Sequence, residues 1–375
     1  MASLNVSRPF LSAAELQAIS RVFDSGYLGM GSEVEGFERE LERYLGNSRV
    51  VRCVNTGTSA LHLALEALEL PSGSEVLVPT LTYVATFHAV KMAGLVPVAC
   101  DVETANGTID LRDVERRITS RTRVIMPVHY ASNVGELNDL YRLADRHGLR
   151  VIEDAAHAFG CEIDGVRVGA CGDIVCFSFD PIKNITAIEG GAIVSADRDF
   201  QDKVTTMRLL GIEGRADNRV PLPYDVQGSG WRYHMSDVNA AVGRVQLARF
   251  ESELKPARVT ILSAYRHALK DVTEVRLITG KAGVVPHIVV IAVAAEARAV
   301  VQKNLLTAGF DSRVHYIPNH LHSLFRTEYE LPNAEALYSQ VISLPCHPEV
   351  TVSDVVSICD VVRASVSEPR RSGAS

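Results

Sequence analysis

No stretch of this 375-residue chain reaches the roughly 18 unbroken apolar residues of a membrane-spanning helix. The segment Met1-Ala-Ser-Leu-Asn-Val-Ser-Arg has no apolar signal-peptide core, so a cytoplasmic location is expected. No cysteine pair has C-x-x-C spacing. The seven (Cys53, Cys100, Cys161, Cys171, Cys176, Cys346, Cys359) are scattered, mostly in apolar runs, which favours buried reduced thiols over disulfides or a zinc site. No G-x-G-x-x-G follows the first strand, which counts against a Rossmann dehydrogenase. An excess of positive charge is missing too: the formal charge of −7 argues against non-specific binding to nucleic acid or anionic membrane and for small-molecule work. Lysine is scarce, seven of the 38 Lys and Arg residues, and the chain holds no internal repeat and no low-complexity segment.

What is present is an ordinary globular composition, 47% hydrophobic and 22% charged, over a length that one core seldom serves. Short strands at about Val76–Val78, Val96–Cys100, Val124–Val128, Arg150–Glu153, Ile174–Phe179 and Ala192–Ser195 mostly alternate with stretches of helical period such as Ser59–Leu68 and Leu137–His147. That alternation predicts an α/β fold with a mostly parallel sheet between helices. The Gly-, Asp-, Asn-, Arg- and Pro-rich run from Gly211 to Trp231 predicts a long functional loop. Ser236-Asp237 is the expected N-cap of a helix over Val238–Phe250, broken at Lys255-Pro256 before another helix through Ala268. A strand at His287–Val293 and helices at Ala295–Ala308 and Val352–Val362 follow. The expected organisation is a large domain over 1–250, a small α+β domain over 251–364, and a disordered tail over 365–375.

The most informative stretch runs from Val151 to Val194. An apolar strand ends in Glu153-Asp154, a second apolar strand ends near Phe179, and a lone lysine, Lys183, precedes Glu189-Gly190-Gly191. An acid and an amine, each delivered to a strand end, are the two groups that hold a pyridinium cofactor: the amine as a Schiff base, the acid on the ring nitrogen. Pyridoxal phosphate is therefore the first hypothesis. An aspartate capping the following helix is an even alternative for Asp154 before the lysine is considered. Most lysines are surface solubilisers, but the apolar strand and the glycine pair confine Lys183, and desolvation lowers an amine pKa and favours the Schiff base. Gly57-Thr58-Ser59-Ala60 opens a helix, whose free N–H groups suit a phosphate, although an ordinary capped helix is the better reading in isolation.

Taken in order, Ser25-Gly26-Tyr27-Leu28-Gly29-Met30-Gly31, Asn55-Thr56-Gly57-Thr58-Ser59-Ala60, Glu153-Asp154-Ala155-Ala156-His157-Ala158 and Ser178-Phe179…Lys183-Asn184…Glu189-Gly190-Gly191 resemble the DegT/DnrJ/EryC1/StrS aminotransferases over nearly the whole chain. The resemblance implies the fold of type I pyridoxal phosphate transferases. It implies a phosphate cradle from Gly57, Thr58 and Ser59 with Ser178 as a further ligand. It also implies Tyr83 over one ring face, His157 near the phenolic oxygen, Asp154 on the ring nitrogen, and Lys183 as the covalent and acid–base residue. Leu28, Gly29, His315 and Tyr316 would line a sugar-nucleotide pocket. For Tyr83, His157, His315 and Tyr316, packing in the core is the bland alternative. Family members with His in place of the lysine act as dehydratases, so Lys183 favours transamination.

One segment departs from the pattern. Gly230-Trp231-Arg232-Tyr233-His234-Met235 stands where the family has Asn-Tyr-Arg-Met, whose Asn reaches the phosphate of the partner subunit. Arg232 replaces that Asn, which keeps the contact in charge-assisted form within a homodimer of shared sites, while a solvated loop arginine is the alternative. The expected reaction passes the amine of L-glutamate through pyridoxamine phosphate to a nucleotide-diphosphate keto sugar, releasing 2-oxoglutarate. The favoured substrate is dTDP-4-keto-6-deoxy-D-glucose, aminated at C-4 by a loose association with the Arg232 variant. Amination of a 3-keto sugar or a keto-inositol is the near alternative; a non-transaminating cofactor-binding sensor or dehydratase-like relative is the alternative of another class.

Overall fold

The computed structural model describes residues 4–212, 224–279 and 283–367. Seven strands form one sheet in the order Val50–Val54, Gly191–Ser195, Ile174–Ser178, Arg150–Asp154, Thr122–Ile125, Glu75–Pro79, Val96–Cys100. Gly191–Ser195 runs antiparallel to both neighbours, and every other pairing is parallel. The period of two sorts strand residues to opposite faces. Ile174 and Cys176 pack with the helix Gly57–Glu66, whereas Val175 and Phe177 pack with the helix Ser32–Tyr44. Burial on both faces explains why these strands read as continuous apolar runs.

All six expected strands are present, and Val50–Val54 is an addition. Arg52 interrupts its apolar pattern. In the fold that arginine donates to the Thr205 hydroxyl at 2.7 Å and lies 3.9 Å from the Glu38 carboxylate, so a polar residue is accommodated within a strand. The expected strand Val124–Val128 stops at Ile125, two residues before Pro127, which has no N–H for a ladder. The break expected at Lys255-Pro256 is absent. The helix Asp237–Arg249 continues through one π turn, Phe250–Leu254, into the helix Lys255–Leu269, and Pro256 sits in the first turn of the latter. The last helix runs Val352–Ser367, so residues 365–367 of the expected tail are helical. Residues 368–375, and 213–223 of the expected loop, lie outside the described residues. No described helix is long and apolar enough to cross a membrane.

Beyond residue 250 a second, antiparallel sheet forms from Arg276–Leu277, Val289–Ala292 and Val341–Leu344. Val289 and Ile291 face the helices Lys255–Leu269, Ala295–Thr307 and Val352–Ser367, while Val290 and Ala292 join the core of the large sheet. The start of the chain belongs to this second layer in space: Leu4 N–H donates to the Gly309 carbonyl, and Val6 accepts from Cys346 N–H, both at 2.9 Å. A division near residue 250 is the domain reading we propose for this arrangement.

Two long-range polar ties fix the helix Ser32–Tyr44. Gly31 offers no side chain to cap it, and Asp237 Oδ1 does so instead, accepting from Gly31 N at 2.8 Å and Val34 N at 3.1 Å. At its middle, Glu38 accepts from Cys53 N at 2.8 Å and from the fully buried Arg208, which also donates to the Cys53 carbonyl at 2.8 Å. Helix, first strand and the segment after the helix Arg198–Met207 meet at that pair. Arg208→Met leaves the Glu38 carboxylate buried without this cation. It is expected to cost about 3–5 kcal/mol, measured as a lower urea midpoint with an unchanged slope; a midpoint equal to wild type would mean that the pair adds nothing net.

Candidate active site

Carboxyl ends of adjacent parallel strands are where an α/β sheet opens a crevice. Here a cavity of about 470 Å³ lies against the ends of Arg150–Asp154 and Ile174–Ser178 and the start of the helix Gly57–Glu66. Asp154 and Ser178 are the terminal residues of neighbouring strands, paired in register through Asp154 and Cys176. Local strand geometry alone therefore brings an acid and a hydroxyl to one wall.

At one end of the cavity, Thr56 caps the helix, its hydroxyl accepting from Ser59 N at 2.9 Å. The first intrahelical bond is Ala60 N to Thr56 O, so the N–H groups of Gly57 and Thr58 precede the ladder and point out of the helix start. A Cβ on Gly57 would lie 2.7 Å from Ser178 Cβ, and one on Gly191 would lie 2.4 Å from the Thr56 carbonyl. Both glycines are required by close approach, and the free N–H groups of Gly57 and Thr58 line this end of the cavity beside Ser178, a donor set that suits an anion such as a phosphate. Ser59 does not join them. Its hydroxyl donates to Asn55 Oδ1 at 2.6 Å and the residue is buried outside the cavity wall, so its part is to fix the cap.

Deeper in, Asp154 is 6% exposed. Its Oδ2 accepts from the Thr86 hydroxyl at 2.9 Å and its Oδ1 from Ala156 N at 3.2 Å. Burial pushes its carboxyl up, against these hydrogen bonds and the charges of Lys183 and His129. Lys183, on the same cavity, has its amine pushed down by burial, opposed by Asp180 and Asp154. A desolvated acid and a desolvated amine thus share one space, each pushed toward its neutral form by burial and pulled back by opposite charge, the acid also by hydrogen bonds.

The third wall comes from elsewhere in the chain. His157 Nε2 meets the Tyr316 hydroxyl at 3.1 Å, its ring lies 4.4 Å from that of His287, and its Nδ1 is buried without a partner. Burial, then the Lys183 charge, pushes His157 well below the usual histidine range, and His315 down to about 4. His315 is held by the Ser343 hydroxyl at 2.7 Å, and its carbonyl by the Tyr130 hydroxyl. Tyr83 stands over the mouth, more than half exposed, its ring 5.6 Å from that of Tyr316.

Of the residues expected from sequence, Gly57, Thr58, Tyr83, Asp154, His157, Ser178, Lys183, His315 and Tyr316 line this one cavity. Leu28, Gly29 and Arg232 do not. The carbonyls of Leu28 and Gly29 accept from Asp237 N at 3.3 and 2.8 Å, and Arg232 is exposed. Sequence reasoning missed Thr86, Asp180 and Glu189, all on the wall. Thr86 had a readable signal, a hydroxyl one residue short of a helical turn beyond Tyr83 and after a strand end.

The donor set fits pyridoxal phosphate: the N–H groups of a helix start and a hydroxyl at one end of the cavity, a buried acid for the ring nitrogen, and a confined amine. The model of the DegT/DnrJ/EryC1/StrS aminotransferase family matches residues 9–363. The solved structure of Helicobacter pylori PseC, an aminotransferase involved in the biosynthesis of pseudoaminic acid, is 26% identical with a TM-score of 0.91, covering 97% of this chain and 99% of that one. DesV of S. venezuelae, solved in complex with a ketimine intermediate, is 32% identical with a TM-score of 0.89 over 97% and 99% of the two chains. DesI, solved in the presence of its TDP-sugar product, is 28% identical with a TM-score of 0.88 over 98% and 94%. With the type I transferase fold, the acid and amine on one cavity and a family match over almost its full length, this chain belongs to the DegT/DnrJ/EryC1/StrS family and is a pyridoxal-phosphate-dependent sugar aminotransferase.

Proposed function

We propose that the enzyme transfers the amino group of L-glutamate to C-4 of a nucleotide-linked 4-keto-6-deoxyhexose, dTDP-4-keto-6-deoxy-D-glucose, giving 2-oxoglutarate and the 4-amino sugar. The observation that carries the transfer chemistry is the placement of Asp154 and Lys183 on one cavity with the helix start at Gly57 and the Ser178 hydroxyl. The nucleotide-linked sugar is supported by the likeness to DesI, whose structure was solved with its TDP-sugar product.

When bound, pyridoxal phosphate supplies the electron sink that makes the α-proton of an amine acidic. The N–H groups of Gly57 and Thr58 and the Ser178 hydroxyl would hold its phosphate, and Asp154, fixed by Thr86 and Ala156, would pair with the protonated ring nitrogen. Burial pushes the Lys183 amine down, which favours the free base that proton transfer needs. That amine takes the α-proton of the donor and, with the sugar bound, returns a proton to the carbon that receives nitrogen. His315 and Tyr316 offer hydrogen bonds to the sugar, and Tyr83 closes one face.

The wall has no arginine among the described residues, although a sugar diphosphate and the cofactor phosphate both call for cations. Arg232 of a second copy, reaching across a homodimer, is the source we assign.

Three measurements test this reading. Wild-type protein with pyridoxal phosphate is expected to show a visible band that borohydride fixes covalently on Lys183 and that L-glutamate bleaches, while Lys183→Ala shows neither; a band indifferent to glutamate would mean another donor or another reaction. Asp154→Asn is expected to fold and bind the cofactor but to slow the glutamate half-reaction by about a hundredfold or more; a rate near wild type would remove Asp154 from the chemistry. Arg232→Ala is expected to be inactive, and mixing it with Lys183→Ala chains, after dissociation and reassociation, is expected to restore about a quarter of wild-type activity, because half the dimers then hold one intact shared site; an active Arg232→Ala chain would place Arg232 outside any site, and no recovery on mixing would place it in its own chain's site.

A further inference from the structure

Arg258 is 2% exposed on the helix Lys255–Leu269, and among the described residues no carboxylate stands within ion-pair distance of it. An unpaired buried guanidinium is costly, so its contacts carry information. Nη1 donates to the carbonyls of Pro286 at 3.1 Å, His287 at 3.3 Å and Cys346 at 3.1 Å. Nη2 donates to one further carbonyl, that of Lys183, at 3.3 Å. Joining the Pro286–His287 segment to Cys346 needs only the first nitrogen, which a lysine ammonium could replace. Reaching Lys183 at the same time needs a planar fork with two separate nitrogens.

We propose that Arg258 is a positioning residue for Lys183: its fork fixes the peptide of the reactive lysine to the segment bearing His287, whose ring backs His157. This rests on the reading of Lys183 as the reactive amine. The next residue is held independently, Asn184 Nδ2 donating to Phe159 O at 2.9 Å and Val285 O at 3.1 Å, so loss of the fork frees the Lys183 carbonyl without releasing the whole loop. Burial is the largest influence on the Lys183 amine, and a loosened peptide lets water reach it and moves its titration back toward that of an ordinary lysine.

The test uses the full chain, first without cofactor. Competitive acetylation across a pH series, read by mass spectrometry of the Lys183 peptide, gives the titration midpoint of its amine. Three variants are compared with wild type: Arg258→Lys, Arg258→Met, and Leu305→Ala, which opens a cavity in the fully buried core of the second unit away from Lys183. Both Arg258 variants are expected to raise the midpoint by about half a pH unit or more. Arg258→Lys keeps a melting temperature near wild type because its ammonium still reaches the Nη1 acceptors; Leu305→Ala melts lower with an unmoved midpoint. With pyridoxal phosphate bound, Arg258→Lys is expected to slow the glutamate half-reaction about tenfold or more, with half-saturation by glutamate within about twofold. An unmoved midpoint in both Arg258 variants, or an equal shift in Leu305→Ala, overturns the proposal. Failure of the wild type to bind cofactor overturns the functional reading instead, and the acetylation midpoints still decide the tether.

Discussion

Everything in this fold converges on one electrostatic constraint: an acid and an amine removed from water in the same cavity. Burial drives Asp154 toward its protonated form and Lys183 toward its free amine, and each offsets part of that drift in the other. Thr86 and Ala156 N–H stabilise the carboxylate by hydrogen bonding, so Asp154 is the better supported charge of the two. The lysine has only the nearby charges of Asp180 and Asp154 to hold its proton. That asymmetry agrees with the roles proposed for the two groups, Asp154 as the partner of the ring nitrogen and Lys183 as the reactive amine.

The sheet is arranged to make this constraint geometrically cheap. Parallel strands end on one side, so Asp154 and Ser178 arrive together without special loops. The single antiparallel strand, Gly191–Ser195, is inserted where its glycine must pass under the Thr56 carbonyl, letting the first strand and its helix close over the same crevice. The Glu38–Arg208 pair and the Asp237 cap then fix the helix Ser32–Tyr44 behind that strand. The catalytic geometry is thereby set by backbone pairing and by buried polar ties, rather than by the exposed loops.

What could be read from sequence was what is local. A strand ending in an acid, a lysine before two glycines and a glycine opening a helix are short-range patterns, and the structure brings Asp154, Lys183 and Gly57 to one cavity. The surroundings of Ser59 could not be read from sequence, because only the fold brings its hydroxyl to Asn55 and Thr56 off the cavity wall. Val50–Val54 escaped notice because Arg52 is satisfied by Thr205, 153 residues away along the chain. The long-range contacts of Asp237, read only as part of its own helix's cap, and of Arg258 were equally invisible. Each residue acts on backbone groups far off in sequence, and neither stands in a pattern that distinguishes it from a surface acid or base.

The cavity has two walls of different origin, and this bears on how specificity is carried. Asp154, Ser178 and Gly57 belong to the large sheet and its first helix, whereas His315 and Tyr316 hang from the second sheet through Ser343, which binds the His315 ring by its hydroxyl and exchanges backbone hydrogen bonds with Arg313. The walls meet at many points, among them the hydroxyl of Tyr316 on His157, its ring against Tyr83, the hydroxyl of Tyr130 on the His315 carbonyl, Asn319 on the Thr80 and Thr82 carbonyls, and the Arg258 fork. Substitutions along Arg313–Pro318 fall on the wall we assign to the sugar, while Asp154 and Thr86 are bound to each other on the opposite one. Lys183 belongs to both, because it is tied through Arg258 to Pro286, His287 and Cys346. Changes on the substrate side are free to alter what is bound, but a change that shifts the second sheet as a body also moves the lysine.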